Sequence, residues 1–242
     1  MPANLASALI TKLTVSNRLD SDDIRALQNL RIQERRLGPR QAVVRDGDRP
    51  TECCLLAEGF AFRSKATVDG ERQVMSVHIA GEIPDLQSLH LKVMDHDLVT
   101  ITPCTLGFIA HDEIKRLNHE RPNIADAMWR ETLIDAAIFR EWIVNLGKRE
   151  ALPRTAHLLV ELHKRLMSIG YTRDGLFALP VTQADLGDCL GLSTVHVNRV
   201  LQFLRKDELI TASRSEFNIL DHERLEQLAG FDASYLHLNP SA

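Results

Sequence analysis

Residues 182–210 constrain this chain more than any other stretch. Thr182 is suited to cap a helix, with Asp185 three residues on as its capping-box partner. Leu186, Cys189 and Leu190 then share one helical face, and Gly191 allows the left-handed conformation that ends the helix. Leu192 plugs the turn and Ser193 caps a second helix. Val197, Val200, Leu201 and Leu204 recur at helical spacing along the inner face of that helix. Two short capped helices joined by a glycine turn form a helix-turn-helix, which points to double-stranded DNA as the partner.

The core spacing leaves Thr194, Val195, His196, Asn198 and Arg199 at the exposed start of the second helix. In a helix-turn-helix this end enters the major groove. Arg199 suits guanine O6 and N7, Val195 a thymine methyl, and Asn198 either adenine or the backbone. Thr182, Gln183 and Ser193 lie at helix starts, where they can hydrogen-bond phosphates, and Arg214 adds charge nearby. Residues 209–212 and 217–220, around a turn at 213–215, read as a β-hairpin, and 221–228 as a closing helix. A hairpin directly after such a helix is a wing. The formal net charge of −4 opposes phosphate binding, but it is unevenly spread. From 191 to 214, Arg199, Arg205, Lys206 and Arg214 stand against Asp207 and Glu208.

The chain is long enough for two domains. Apolar spacing predicts a helix over 13–30, with Asp20, Ser21, Asp22 and Asp23 as cap candidates. Short apolar runs at 42–44, 53–57, 60–62, 74–79, 98–101 and 106–110 alternate with turn signals, and Asp69-Gly70 marks a hairpin. Residues 123–146 lack Gly and Pro and are apolar on more than one helical face, so one face is expected on the strands and another on a second copy. A monomer with that helix wholly buried is the competing reading. Gly147 and Pro153 are expected to end it, with an amphipathic helix over 155–167 and a loop or short strand excursion over 170–180. The expected class is α+β: an antiparallel, jelly-roll-like β-roll in residues 1–118, a dimerisation helix in 119–150, and a winged helix-turn-helix domain in 151–235.

No run of about 18 apolar residues occurs, so no membrane span is expected. Residues 1–21 do not resemble a secretory signal. Cys53, Cys54, Cys104 and Cys189 form neither a CxxC pair nor a disulfide framework, which suits the cytoplasm. Cys53 and Cys54 read as a buried strand pair.

Residues 20–230 resemble the Crp/Fnr family of bacterial transcription regulators. The match runs through Gly191-Leu192-Ser193, Val197, Arg199 and Leu201, followed by Leu209-Ile210. The resemblance implies a cyclic-nucleotide-binding-like β-roll, a homodimer, a near-palindromic DNA site, RNA polymerase as a further partner, and Arg199 as a base reader. Val195 stands where the family often has Glu. In cAMP-binding members a Gly-Glu-Leu cassette is followed by Arg-Ser or Arg-Thr. Here Gly81-Glu82-Ile83-Pro84-Asp85-Leu86 places Asp85 at a glycine and Leu86 at the ribose-binding Glu, while the Arg-Ser position falls near Met94-Asp95. Phe139-Arg140 replaces the polar pair that contacts the purine. Acidic groups repel a cyclic phosphate, so the effector is not expected to be cAMP, and none is required. The cysteine cluster of the iron–sulfur members is missing, since no cysteine precedes Cys53. No cofactor, metal or catalytic residue is therefore assigned. The alternatives are a cAMP-type regulator, a haem sensor using His78, His90, His96 or His111, a metal sensor using His90, Asp95, His96 and Asp97, and, from another class, a jelly-roll metalloenzyme.

Overall fold

A computed structural model describes residues 5–213 and 215–238. The chain divides into two compact units, one built from residues up to Ala136 and the other from residues 137–236.

The first unit opens with α1 (Leu5–Ser16) and α2 (Ser21–Gln28). The single helix expected over 13–30 is thus two. The extended backbone of Asp20 interrupts it, and the Asp20 side chain accepts from Asp22 and Asp23 N–H to start α2 afresh. Seven strands follow: β1 (Gln33–Leu37), β2 (Ala42–Val44), β3 (Glu52–Glu58), β4 (Ala61–Ala66), β5 (Arg72–His78), β6 (Asp97–Thr100) and β7 (Cys104–Ala110). They form two antiparallel sheets, ordered β1-β7-β3 and β2-β6-β4-β5. Strand alternation divides the core in two. Cys53 and Leu55 pack with Leu9, Leu13, Leu27 and Ile124, whereas Cys54 and Leu56 pack with Val44, Leu98 and Leu106. Between β4 and β5, Gly70 has φ +84° and donates its N–H to Thr67, closing the hairpin expected at Asp69-Gly70. After β7 come α3 (His111–Glu120) and α4 (Pro122–Lys148).

Two boundaries differ from expectation. Helix α4 runs through Gly147, and Pro153 lies in the first turn of α5 (Ala151–Ser168), where its missing N–H breaks no helical bond. Along α4, Ile124, Met128, Ile134, Ile138 and Trp142 are buried, while Trp129, Leu133, Ile143 and Val144 remain exposed.

In the second unit α5 is followed by β8 (Thr172–Arg173), β9 (Leu176–Ala178), α6 (Gln183–Leu190), α7 (Thr194–Lys206), β10 (Ile210–Ala212), β11 (Glu216–Ile219) and α8 (His222–Ala229). The expected wing is the hairpin β10–β11, and β8–β9 extends it into one sheet ordered β10-β11-β9-β8. Leu158, Leu159, Leu162, Phe177, Leu225 and the inner faces of α6 and α7 supply the core.

Candidate nucleic-acid interface

Local chemistry sets each turn of the helix pair. Thr182 Oγ1 accepts from the Asp185 N–H at 3.1 Å, and the Asp185 carboxylate accepts from the Thr182 N–H at 3.0 Å. The Thr182 hydroxyl also donates to that carboxylate at 2.7 Å. Gly191 ends α6 with φ +61° and its N–H bonded to Gly187 O. Gly187 itself has no room for a side chain, because an added Cβ would sit 2.5 Å from Leu192 O. Ser193 Oγ accepts from the His196 N–H at 3.3 Å and starts α7.

Val197, Val200, Leu201 and Leu204 of α7 are all buried. Diametrically opposite, by the helical repeat, runs a strip of Val195, Arg199, Gln202 and Lys206. All four are exposed, and Val195 is 61% accessible. Thr194 and His196 are exposed beside the strip, whereas Asn198 is half-buried at its margin. Thr182, Gln183 and Ser193 lie exposed at the two helix starts. Arg214 falls outside the described residues. Gln202 did not figure in the sequence reading and Lys206 did so only as a local charge, although the core period alone places both on this strip. Nearby, Arg224 pairs with Asp207 at 2.7 Å, which offsets one of the two acidic charges after α7.

Beside the apolar clusters, several buried polar side chains of the roll pair with one another. The buried Arg63 donates to Asp135 Oδ2 at 2.7 Å and to Pro84 O. His78 bonds Glu82 through Nδ1 at 2.9 Å and Ser76 through Nε2 at 2.8 Å. Burial, then the Arg63 charge, pushes the His78 pKa down. Asp85 accepts from the Cys54 N–H at 2.7 Å, and burial raises its carboxyl to about 7. Burial, then the nearby Asp85, pushes the Cys53 thiol up to about 12, and the same two causes raise Cys54. Neither supplies a reactive thiolate at neutral pH. His96 bonds Asp95 and Gln87, and His111 bonds Ser88. Among the described residues no three His, Cys, Asp or Glu converge as a metal site. No described helix is long and apolar enough to cross a membrane.

Comparison with known proteins matches both units. Residues 34–120 fit the family model "Cyclic nucleotide-binding domain", and residues 153–228 fit "Crp-like helix-turn-helix domain". The transcriptional activator protein Anr of Pseudomonas protegens is 27% identical over 94% of this chain and 93% of its own length. FnrA of Stutzerimonas stutzeri is 26% identical over the same shares. The solved structure of FixK2 from Bradyrhizobium japonicum superposes with a TM-score of 0.76 at 20% identity, covering 84% of this chain and all of that one.

A cyclic-nucleotide-binding-type roll followed by a Crp-like helix-turn-helix defines a DNA-binding transcriptional regulator. This chain belongs to the Crp/Fnr family.

Proposed function

We propose that this regulator acts as a homodimer on a near-palindromic DNA site, with each α7 in one major groove. Arg199, Val195, His196, Thr194 and Asn198 read bases. Thr182, Gln183, Ser193 and Arg214 hold phosphates. The carrying observation is the exposed strip through Val195 and Arg199, opposite the buried face of a Ser193-capped helix. Thr182 has its hydroxyl proton committed to Asp185, so its share in phosphate binding goes through backbone N–H groups of the first turn of α6. The effector is not cAMP. Glu82 is held by His78, the buried Arg63 is held by Asp135 and Pro84, and acidic residues stand at Asp85 and Asp95, so the cassette positions themselves offer no cation to a cyclic phosphate. The protein works in the cytoplasm, with RNA polymerase as its second partner, as befits a relative of transcriptional activators.

Selection from a random duplex pool, followed by anisotropy titration at two salt concentrations, tests this reading. A palindromic sequence with half-sites about one helical turn apart is expected. Arg199→Ala should weaken binding by about 1–3 kcal/mol and relax preference at one guanine per half-site. Unchanged preference in that variant would remove Arg199 from the base-reading set. Failure to select any sequence would overturn the whole reading.

A further inference from the structure

We propose that Arg154 is a positioning residue for DNA recognition, a clamp that fixes the helix-turn-helix to the end of α4. Its guanidinium serves two carbonyls that lie far apart in sequence. Nε and one terminal nitrogen donate to Arg149 O at 3.2 and 2.7 Å, just past the last residue of α4. The other terminal nitrogen donates to Leu190 O at 2.5 Å, at the last residue of α6. Both acceptors belong to helix ends, whose carbonyls have no partner within the helix and carry the negative end of its dipole. A planar fork of donors can hold two such ends in one fixed geometry, which a single ammonium cannot.

The elbow between α4 and α5 is itself locked. Arg149 pairs with Glu141 at 2.7 Å and donates to Asn145 Oδ1 at 2.9 Å, while Asn145 bonds His157 of α5 at 3.0 Å. Gly191 packs close by, with an added Cβ only 3.4 Å from Leu146 and 3.7 Å from Arg154. Through Leu190 the clamp therefore reaches the turn that sets the direction of α7. Arg154 is half-buried, and its guanidinium is occupied by the Arg149 and Leu190 carbonyls. Its task is to fix the angle of the reading helix relative to α4, which in a dimer sets the separation of the two reading helices. This inference rests on the dimeric, DNA-reading assignment above.

The test uses the full-length protein and the sequence selected with it. Affinities of wild type, Arg154→Met and Arg154→Lys are compared on the selected site and on sites with one base pair added to or removed from the spacer, over a salt series. For Arg154→Met we expect roughly tenfold weaker binding to the selected spacer, with little loss on the altered ones, so that spacer discrimination falls toward unity. The slope of log affinity against log salt should match wild type, because no phosphate contact is lost. Arg154→Lys keeps the charge but not the fork, and it should show intermediate discrimination. It carries the same comparison if the Met variant fails to fold. Wild-type spacer discrimination in a folded variant would overturn the proposal, as would a salt slope reduced by about one, which marks a phosphate contact. A wild type that selects no palindrome would instead defeat the underlying dimer reading.

Discussion

Asp85 shows how a single side chain can set the pH response of the roll. Its carboxyl is buried and has the Cys54 N–H as a donor, and burial raises its pKa from the ordinary 3.8 to about 7. A raised native pKa means that the folded state prefers the protonated form. The associated stability is fully present below pH 3.8 and is lost as pH rises through about 7. Asparagine can accept the same bond from Cys54 without ionising. Asp85→Asn should therefore melt several degrees above wild type at pH 8, with the difference shrinking toward pH 5, in thermal scans followed by circular dichroism. A constant offset across that range would show that Asp85 does not titrate there.

The buried histidines of helix α5 carry the opposite pH dependence, although burial raises the carboxyl of Glu161 on the same helix. Along it His157, Glu161, His163 and Arg165 are all buried. Trp142 and Tyr235 donate to the Glu161 carboxylate, and Arg165 pairs with it at 3.2 Å. Neither ring nitrogen of His163 has a hydrogen-bond partner among the described residues. Burial, then the charges of His222 and Lys164, lowers the His163 pKa to about 4, while burial and Arg149 lower that of His157 to about 3. Above pH 6.5 both are neutral whether folded or not. Below it the unfolded chain takes up protons first, so stability is lost as pH falls from 6.5 toward 4 and then 3. His163→Leu removes one of these groups and leaves no polar partner stranded, because none was bonded. It should flatten the acid limb of a urea-midpoint titration and gain about 1 kcal/mol at pH 5. An acid limb as steep as wild type would assign the lability to His157 alone.

Legibility also divides at the scale of elements. Helices α6 and α7 could be read because caps, glycine turn and core period all lie within one short stretch, and local interactions fix them. The hairpin at Asp69-Gly70 was legible for the same reason. Strand β1 was not, since Gln33, Glu34, Arg35 and Arg36 are exposed and present no apolar alternation. What makes it a strand is pairing with β7, distant in sequence, together with the Arg35 guanidinium stacked 4.0 Å from the Phe108 ring centroid. Arg154 was invisible for a similar reason, because its acceptor at Leu190 lies 36 residues away. In the roll the loss of the cassette was legible, but the Arg63–Asp135 pair was not, because it depends on α4 packing Asp135 against a strand 72 residues earlier in the chain.

At the scale of the whole molecule, α4 decides whether one chain suffices. Its buried residues already satisfy the faces turned to the protein's own cores. Trp129, Leu133 and Ile143 are nevertheless 63%, 50% and 69% accessible. With Ala136 and Arg140 between them, these positions are spaced four, three, four and three residues apart, the heptad seam by which one helix pairs with a second copy of itself. An exposed apolar row implies an occupant, and in the homodimer proposed above that occupant would be the same helix of a second protomer. Leu133→Glu places two like charges across that seam and removes no contact from either core. It should reduce the mass by light scattering from twice the 27.3 kDa chain to a single chain that keeps its helical circular dichroism, with a melting temperature that no longer depends on protein concentration. If each protomer supplies half of the phosphate contacts, the salt slope of DNA binding should fall by about half as well. A variant that remains dimeric, or a monomer that binds the palindrome with the wild-type slope, would show that α4 is not the seam.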